Sequence, residues 1–311
     1  MKKTLLLLFF SLSYLSSAQE DFSDSWEDFF SYNNVKDFVK VENSIYALSD
    51  NAIFTYDFIT QEIQKLSSVQ GLSGETTTAI HYSIDTNRLI IGYENGLLEV
   101  VDSDGSITSS SDIVSFNQSG EKSINHIFEY QEKLYVSTSF AIVEYDINQL
   151  EFGDTFFIGN NSSDVKVNEI TVFNNRIYAA TNNGIFHAAI DNPNLIDFNN
   201  WSHISSGNNH FKNITVFNNK LYTIFNSTLF ELRETNELFF ITDFFEIVNG
   251  MKASSTNLSI AFNDSLMIYD ITLNQVIQNS ANINFDYTLN TVFAENNELF
   301  LATNQFGVLT S

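Results

Sequence analysis

Apolar residues along this chain fall in short runs that alternate with polar ones, and the runs are separated by tight polar turns. A two-residue period of this kind predicts β-strands with one face on a core, and no stretch carries the 3.6-residue period of a helix. The pattern repeats from end to end. Seven segments each hold a strand, a turn, a second strand, a turn and a third strand: Val35 to Asp57, Thr78 to Asp102, Ile124 to Asp146, Val167 to Ile190, Phe211 to Leu232, Met251 to Asp270 and Leu289 to Thr310. With Tyr46, Ile90, Tyr135, Tyr178, Tyr222, Ser259 and Phe300 as equivalent second-strand positions, the steps are 44, 45, 43, 44, 37 and 41 residues. A four-stranded propeller blade occupies roughly 40 to 50 residues, so the expected fold is all-β, a seven-bladed β-propeller.

The expected blades lie near 35–77, 78–123, 124–166, 167–210, 211–250, 251–288 and 289–311, within one domain over 19–311. Asparagine supplies many of the turns, because it tolerates the positive φ that tight hairpins need. Asn174-Asn175 and Asn218-Asn219 close first hairpins, and Asn95-Gly96 and Asn183-Gly184 close second ones. Trp201 to Ser205 reads as the outer strand of the fourth blade. The similar Trp26 to Phe30 stands before the first repeat, while the seventh repeat ends at Ser311 without an outer strand. A strand over 25–31 is therefore expected to complete the last blade and remove the open sheet edges.

Residues 1–18 read as a secretory signal peptide, with Lys2 and Lys3, an apolar run from Leu5 to Phe10 and small residues at Ser16 and Ala18. The run is too short for a spanning helix, so an exported protein is expected, at the outer-membrane surface, extracellular or periplasmic. Its formal charge of −24 includes those two lysines, which puts the processed chain near −26. With 14 Lys+Arg against 38 Asp+Glu, no basic stripe stands out, and nucleic acid is not an expected partner. The chain has no cysteine, which removes disulfides, thiol nucleophiles and thiolate metal sites together.

Candidate chemistry is sparse. The five histidines, His81, His126, His187, His203 and His210, form no metal-ligand spacing, and Asp102-Ser-Asp-Gly105 lacks the later ligands of a calcium loop. There is no Gly-x-Ser-x-Gly elbow and no distinctive carboxylate pair, so neither an enzyme nor a cofactor is expected. The second-strand aromatics Tyr135, Tyr178 and Tyr222 recur in repeat phase, which reads as packing between blades. Ligand binding is assigned to the loops between second and third strands, which a propeller gathers on one face, with candidates Tyr93, Asn95, Asn183, Asn226, Asn263 and Gln305. Their amides suit the neutral hydroxyls of a carbohydrate, and they equally suit solvated turns.

Gly71-Leu-Ser-Gly-Glu-Thr-Thr-Thr-Ala-Ile80, followed by Asn87-Arg-Leu-Ile-Ile-Gly-Tyr-Glu-Asn-Gly-Leu97, is similar to the repeats of two-component regulator propellers. Trp26-Glu-Asp-Phe-Phe-Ser-Tyr-Asn-Asn34, with Ile45-Tyr-Ala-Leu-Ser-Asp-Asn-Ala-Ile-Phe-Thr-Tyr-Asp57, resembles the N-terminal propeller of the PorZ family of the type IX secretion system. The resemblance implies a non-enzymatic protein at the outer-membrane surface. It would scaffold an attachment complex with a PorU-like sortase, PorV and PorQ, and would bind anionic lipopolysaccharide for cargo attachment. The family's second propeller and C-terminal β-domain are not seen, so a fragment or a shortened relative is expected. A domain near −26 should repel an anionic glycolipid, so any direct binding is expected to survive high salt. The alternative is the periplasmic ligand-sensing propeller of a two-component regulator.

Overall fold

The computed structural model describes residues 30–204, 210–278 and 287–311. Its strands form seven separate antiparallel sheets in chain order, six of four strands and a last one of three among the described residues. This is the seven-bladed β-propeller that the repeat spacing predicts. The expected closing strand and the signal peptide lie outside the described residues, apart from Phe30 and Ser31, which carry no strand.

Within a blade each strand pairs with the next, so the first strand is innermost and the fourth outermost. Second strands are buried on both faces, as in Lys133–Thr138 and Arg176–Thr181, where every residue after the first is buried. They therefore read as continuous apolar runs. Outer strands such as Ile63–Leu66 and Glu151–Phe156 are largely solvated. The Trp201 segment falls where expected: Ser202–Ile204 pairs with Gly184–Ala189 as the fourth strand of its blade.

The turns follow the backbone logic read from the asparagines. Asn174-Asn175 and Asn218-Asn219 have both residues at positive φ, as a two-residue hairpin of the primed type requires. In Asn95-Gly96 and Asn183-Gly184 only the glycine is at positive φ, so those hairpins depend on a left-handed glycine. Second-strand aromatics pack between blades, again as expected. Tyr135 joins the apolar cluster against the fourth blade, Tyr178 that against the fifth and Tyr222 that against the sixth.

Each junction between neighbouring blades buries one apolar cluster, and there are seven. The seventh joins the ends of the chain, with Val35, Phe38, Ile45 and Ala47 of the first blade against Phe300 and Ala302 of the last. Two backbone bonds reinforce it, Val35 N to Thr303 O at 2.8 Å and Gly307 N to Asn33 O at 2.8 Å.

A second ring runs inside the first. At the head of each first strand one side chain donates a hydrogen bond to a backbone carbonyl at the same level of the next blade. Going round, these are Lys36 to Thr77 (2.8 Å), Thr78 to Ile124 (2.6 Å), Asn125 to Val167 (2.8 Å) and Asn168 to Phe211 (2.8 Å). They continue with Lys212 to Val248 (2.9 Å), Asn249 to Leu289 (2.7 Å) and Asn290 to Val35 (2.7 Å). Every acceptor immediately precedes its own blade's donor, so the seven bonds form a closed belt. In the second, third, fourth, fifth and seventh blades the donor is the unpaired residue of a β-bulge between first and second strands. A bulge turns a side chain out of the ladder and so aims it at the neighbour.

Deleting one belt donor leaves a backbone carbonyl without its partner, which costs about 1–3 kcal/mol where water does not replace it. Asn168→Ala is expected to lower stability in urea by that amount. Lys212→Asn, which places at this position the donor that four other blades use, is expected to stay within about 0.5 kcal/mol of wild type.

Candidate functional site

The first strands of all seven blades enclose a central channel of about 710 Å³. Four lysines line it, Lys36 and Lys212 from the belt, Lys166 just above it and Lys252 below, with His81, His126 and His210. Only two carboxylates share the lining, Asp37 and Glu169. Four of the chain's 14 basic residues thus meet two of its 38 acidic ones in this lining, an excess opposite in sign to the protein's overall charge, and at the mouth Lys36 and Lys166 also meet Glu94 and Glu121.

Contacts fix these groups differently. Lys252 Nζ lies 2.6 Å from the Asp37 carboxylate and donates to Phe38 O at 2.6 Å, so it is neutralised across the channel. Lys36 pairs with Asp50 at 3.2 Å and Lys166 with Glu121 at 3.4 Å, both in partly solvated settings where such pairs are weak. Lys212 forms no ion pair among the described residues, and burial pushes its ammonium below the usual lysine range against the opposing pull of Glu169.

Glu169 accepts from Asn213 Nδ2 at 2.8 Å and from the backbone N–H of Ile214 at 3.3 Å. Loss of solvent deep in the channel outweighs those bonds and pushes its carboxyl up to about 8. His126 Nδ1 accepts the Ile170 N–H at 3.3 Å, and burial, with His81 and Lys252 nearby, brings the imidazole down to about 3. Burial, with Lys212 and Lys166, also lowers His210. At neutral pH these three side chains are therefore uncharged.

The loop candidates surround the mouth, because each second-to-third-strand loop lies beside the head of a first strand. The bonds Asn182 N to Lys166 O, Leu289 N to Asn263 O and Asn304 N to Thr288 O show this placement. Asn263 and Gln305 come together in a side cavity of about 410 Å³ with Glu246, Ile247, Asp264, Tyr287, Thr288 and Asn304. The other four stay within their own blades. Tyr93 is fully buried with its hydroxyl on Glu99, and Asn95 Oδ1 accepts from Leu97 N at 3.0 Å. The Asn183 carbonyl faces His203 Nε2 at 2.7 Å, and Asn226 forms a turn at positive φ. Glu99, itself buried, also receives the Ser73 N–H and the Ser109 hydroxyl, which anchors the Gly-Leu-Ser-Gly loop that follows the first blade to the second.

Sequence reading named none of the channel lysines. A signal existed in Val35-Lys36 and Phe211-Lys212, where an apolar residue and a lysine open equivalent first strands. The absence of a basic patch, on which salt-insensitive binding was expected, does not hold once the chain is folded.

The model of the family described as TSS9, PorZ, N-terminal beta-propeller domain matches residues 45–202. The chain belongs to this family. Among solved structures, PorZ of Porphyromonas gingivalis, described as an essential bacterial surface component of the type IX secretion system, superposes with a TM-score of 0.74 at 15% identity. The match covers 92% of this chain and 37% of that one. The extracellular domain of the hybrid two-component system BT3049 of B. thetaiotaomicron gives 0.69 at 15% identity, over 90% of this chain and 40% of that one. The β-propeller domain of Cps50 (Swd1) from Myceliophteria thermophila gives 0.69 at 10% identity, over 92% and 99%. At such identities the likeness is one of fold. This PorZ-family propeller spans well under half of the first two structures it matches. No curated protein matches the sequence. No helix among the described residues is long and apolar enough to cross a membrane.

The Glu169 carboxyl makes stability depend on pH. Its ordinary value is 4.5, so between 4.5 and about 8 the folded channel holds a proton that the unfolded chain has released. Stability from this group therefore falls as pH rises through that window and levels off above it. His126 acts in the opposite sense, losing stability as pH falls from 6.5 to about 3. Glu169→Gln keeps an acceptor for Ile214, and it is expected to melt several degrees above wild type at pH 8.5, with the difference fading towards pH 4.

Proposed function

We propose that this chain is a non-enzymatic surface component of the type IX secretion system that scaffolds the attachment complex. The observation that carries this reading is the match of residues 45–202 to the PorZ N-terminal propeller family. PorZ of Porphyromonas gingivalis, with the same fold over 92% of this chain, supports it. On this reading the protein is exported to the outer-membrane surface. Its partners there are a PorU-like sortase, PorV and PorQ, and it binds anionic lipopolysaccharide for cargo attachment.

The geometry agrees with a scaffold. A ring of blades presents two faces and an outer wall, and Lys36, Lys212, His126 and Glu169 of the channel are each bonded to the next blade. His126 and Glu169 each accept a backbone N–H of the next blade, which ties them into the ring. The sensor reading draws on BT3049, whose extracellular domain has the same fold over 90% of this chain. There the propeller would report a ligand across a membrane.

An affinity capture separates the two. The processed chain from Gln19 to Ser311, used as bait on solubilised outer membranes of its own host, is expected to recover the sortase with its barrel partner. Recovery of a histidine kinase or transcriptional regulator, with no secretion component, would overturn the secretion reading.

A further inference from the structure

We propose that the central channel is a binding site for a compact phosphate or phosphomonoester group, entered from the face where the belt lies. With a lipid headgroup as the source this inference rests on the secretion reading and names the group its glycolipid would present, whereas with a soluble source it stands apart, because a sensor propeller with the same channel would take the same chemistry.

Placement of charge is the first support. Lys36, Lys166 and Lys212 come from three different blades and line one channel of about 710 Å³, Lys36 and Lys212 at the belt and Lys166 just above it. That volume lies within the roughly 300–1,000 Å³ usual for small-molecule sites. Lys252 is neutralised by Asp37, while above it Lys212 has no ion pair among the described residues and Lys36 and Lys166 keep only the weak, partly solvated pairs with Asp50 and Glu121.

The belt supplies the second support. Its positions need one hydrogen-bond donor, and Asn125, Asn168, Asn249 and Asn290 show that an asparagine serves. Lysine at positions 36 and 212 does the same bonding and adds a charge that the architecture does not require. Burying an ammonium costs free energy, and burial does depress the Lys212 group, so a structural role alone would favour asparagine there as well.

The type of cation chooses the class of anion. The lining contains no arginine, whose planar fork matches a carboxylate in bidentate fashion. Several lysines act as point charges around a multivalent oxyanion, and a phosphomonoester carries about −1.5 to −2 near neutral pH. Neutral His210 and the rim hydroxyls of Thr76, Thr78 and Ser123 add further hydrogen-bonding groups around the mouth, where Glu94 and Glu121 also stand beside Lys36 and Lys166.

The phosphate could belong to a soluble metabolite or to a lipid headgroup, and the experiment separates them. Calorimetric titration of the full processed chain with glucose 6-phosphate, with glucose as the uncharged control, tests the soluble source. Flotation with neutral phospholipid vesicles, plain or carrying a phosphorylated glycolipid, tests the headgroup. One-to-one binding that weakens as salt rises is expected in at least one arm, with no binding of glucose or plain vesicles. Lys36→Asn/Lys212→Asn retains both belt donors, so its melting temperature should match wild type while its affinity drops at least tenfold. Should that double variant fail to fold, Lys166→Gln, which lies outside the belt, should weaken binding at least threefold. Binding in neither arm would overturn the proposal, as would unchanged affinity in a folded double variant or, in its place, in Lys166→Gln.

Discussion

The closed belt of seven side-chain hydrogen bonds is the constraint on which the rest of this structure depends. The inner edge of a propeller is the one sheet edge that no further strand can cover, since seven first strands converge there. Their carbonyls at the mouth need donors, and the belt supplies one to each junction from the neighbouring blade. Because acceptor and donor are consecutive residues, each blade is both giver and receiver at one level. An open array would leave one donor and one carbonyl unmatched at its ends. The bond from Asn290 to Val35 joins those ends, and the apolar cluster around Phe38 and Phe300 covers the same junction from outside.

The belt also explains how a chain with so few basic residues concentrates them. Each belt position must reach across to the next blade and donate, which threonine, asparagine and lysine can all do. Choosing lysine at two of them carries charge inward at little cost to the architecture. A bulge at the head of the first strand turns the donor toward the neighbouring blade. The next residue in the strand then faces the channel with its own acceptor, as His126 and Glu169 do. In the five bulged blades, belt and channel lining are thus two consequences of one local distortion.

This shows what was legible beforehand. The blade number could be read because Tyr46, Tyr135, Tyr178, Tyr222 and Phe300 all sit third in their second strands, so their spacing reports the period directly. The inter-blade role of the tyrosines followed from the same phase. The belt could not be read from residue identity, because Lys36, Thr78 and Asn125 are equivalent in chemistry and not in name. The channel lysines were hidden for another reason: Lys36, Lys166, Lys212 and Lys252 are far apart in sequence, and only ring closure brings the first blade beside the last. Tyr93 misled in the opposite direction, since a tyrosine at the edge of an amide-rich loop looks available, and the neighbouring Glu99 draws its hydroxyl into the blade.

Charge separation between surface and channel has a further physical consequence. Fields from exposed carboxylates fade over a screening length of about 8 Å at physiological ionic strength. A seven-residue first strand such as Ile124–Tyr130 spans about 20 Å. A group well inside the mouth is therefore more than one screening length from much of the acidic exterior and close to the lysines. The domain can be strongly acidic as a whole while its channel is lined by lysines, and the sign of its net charge does not determine the charge of what it binds.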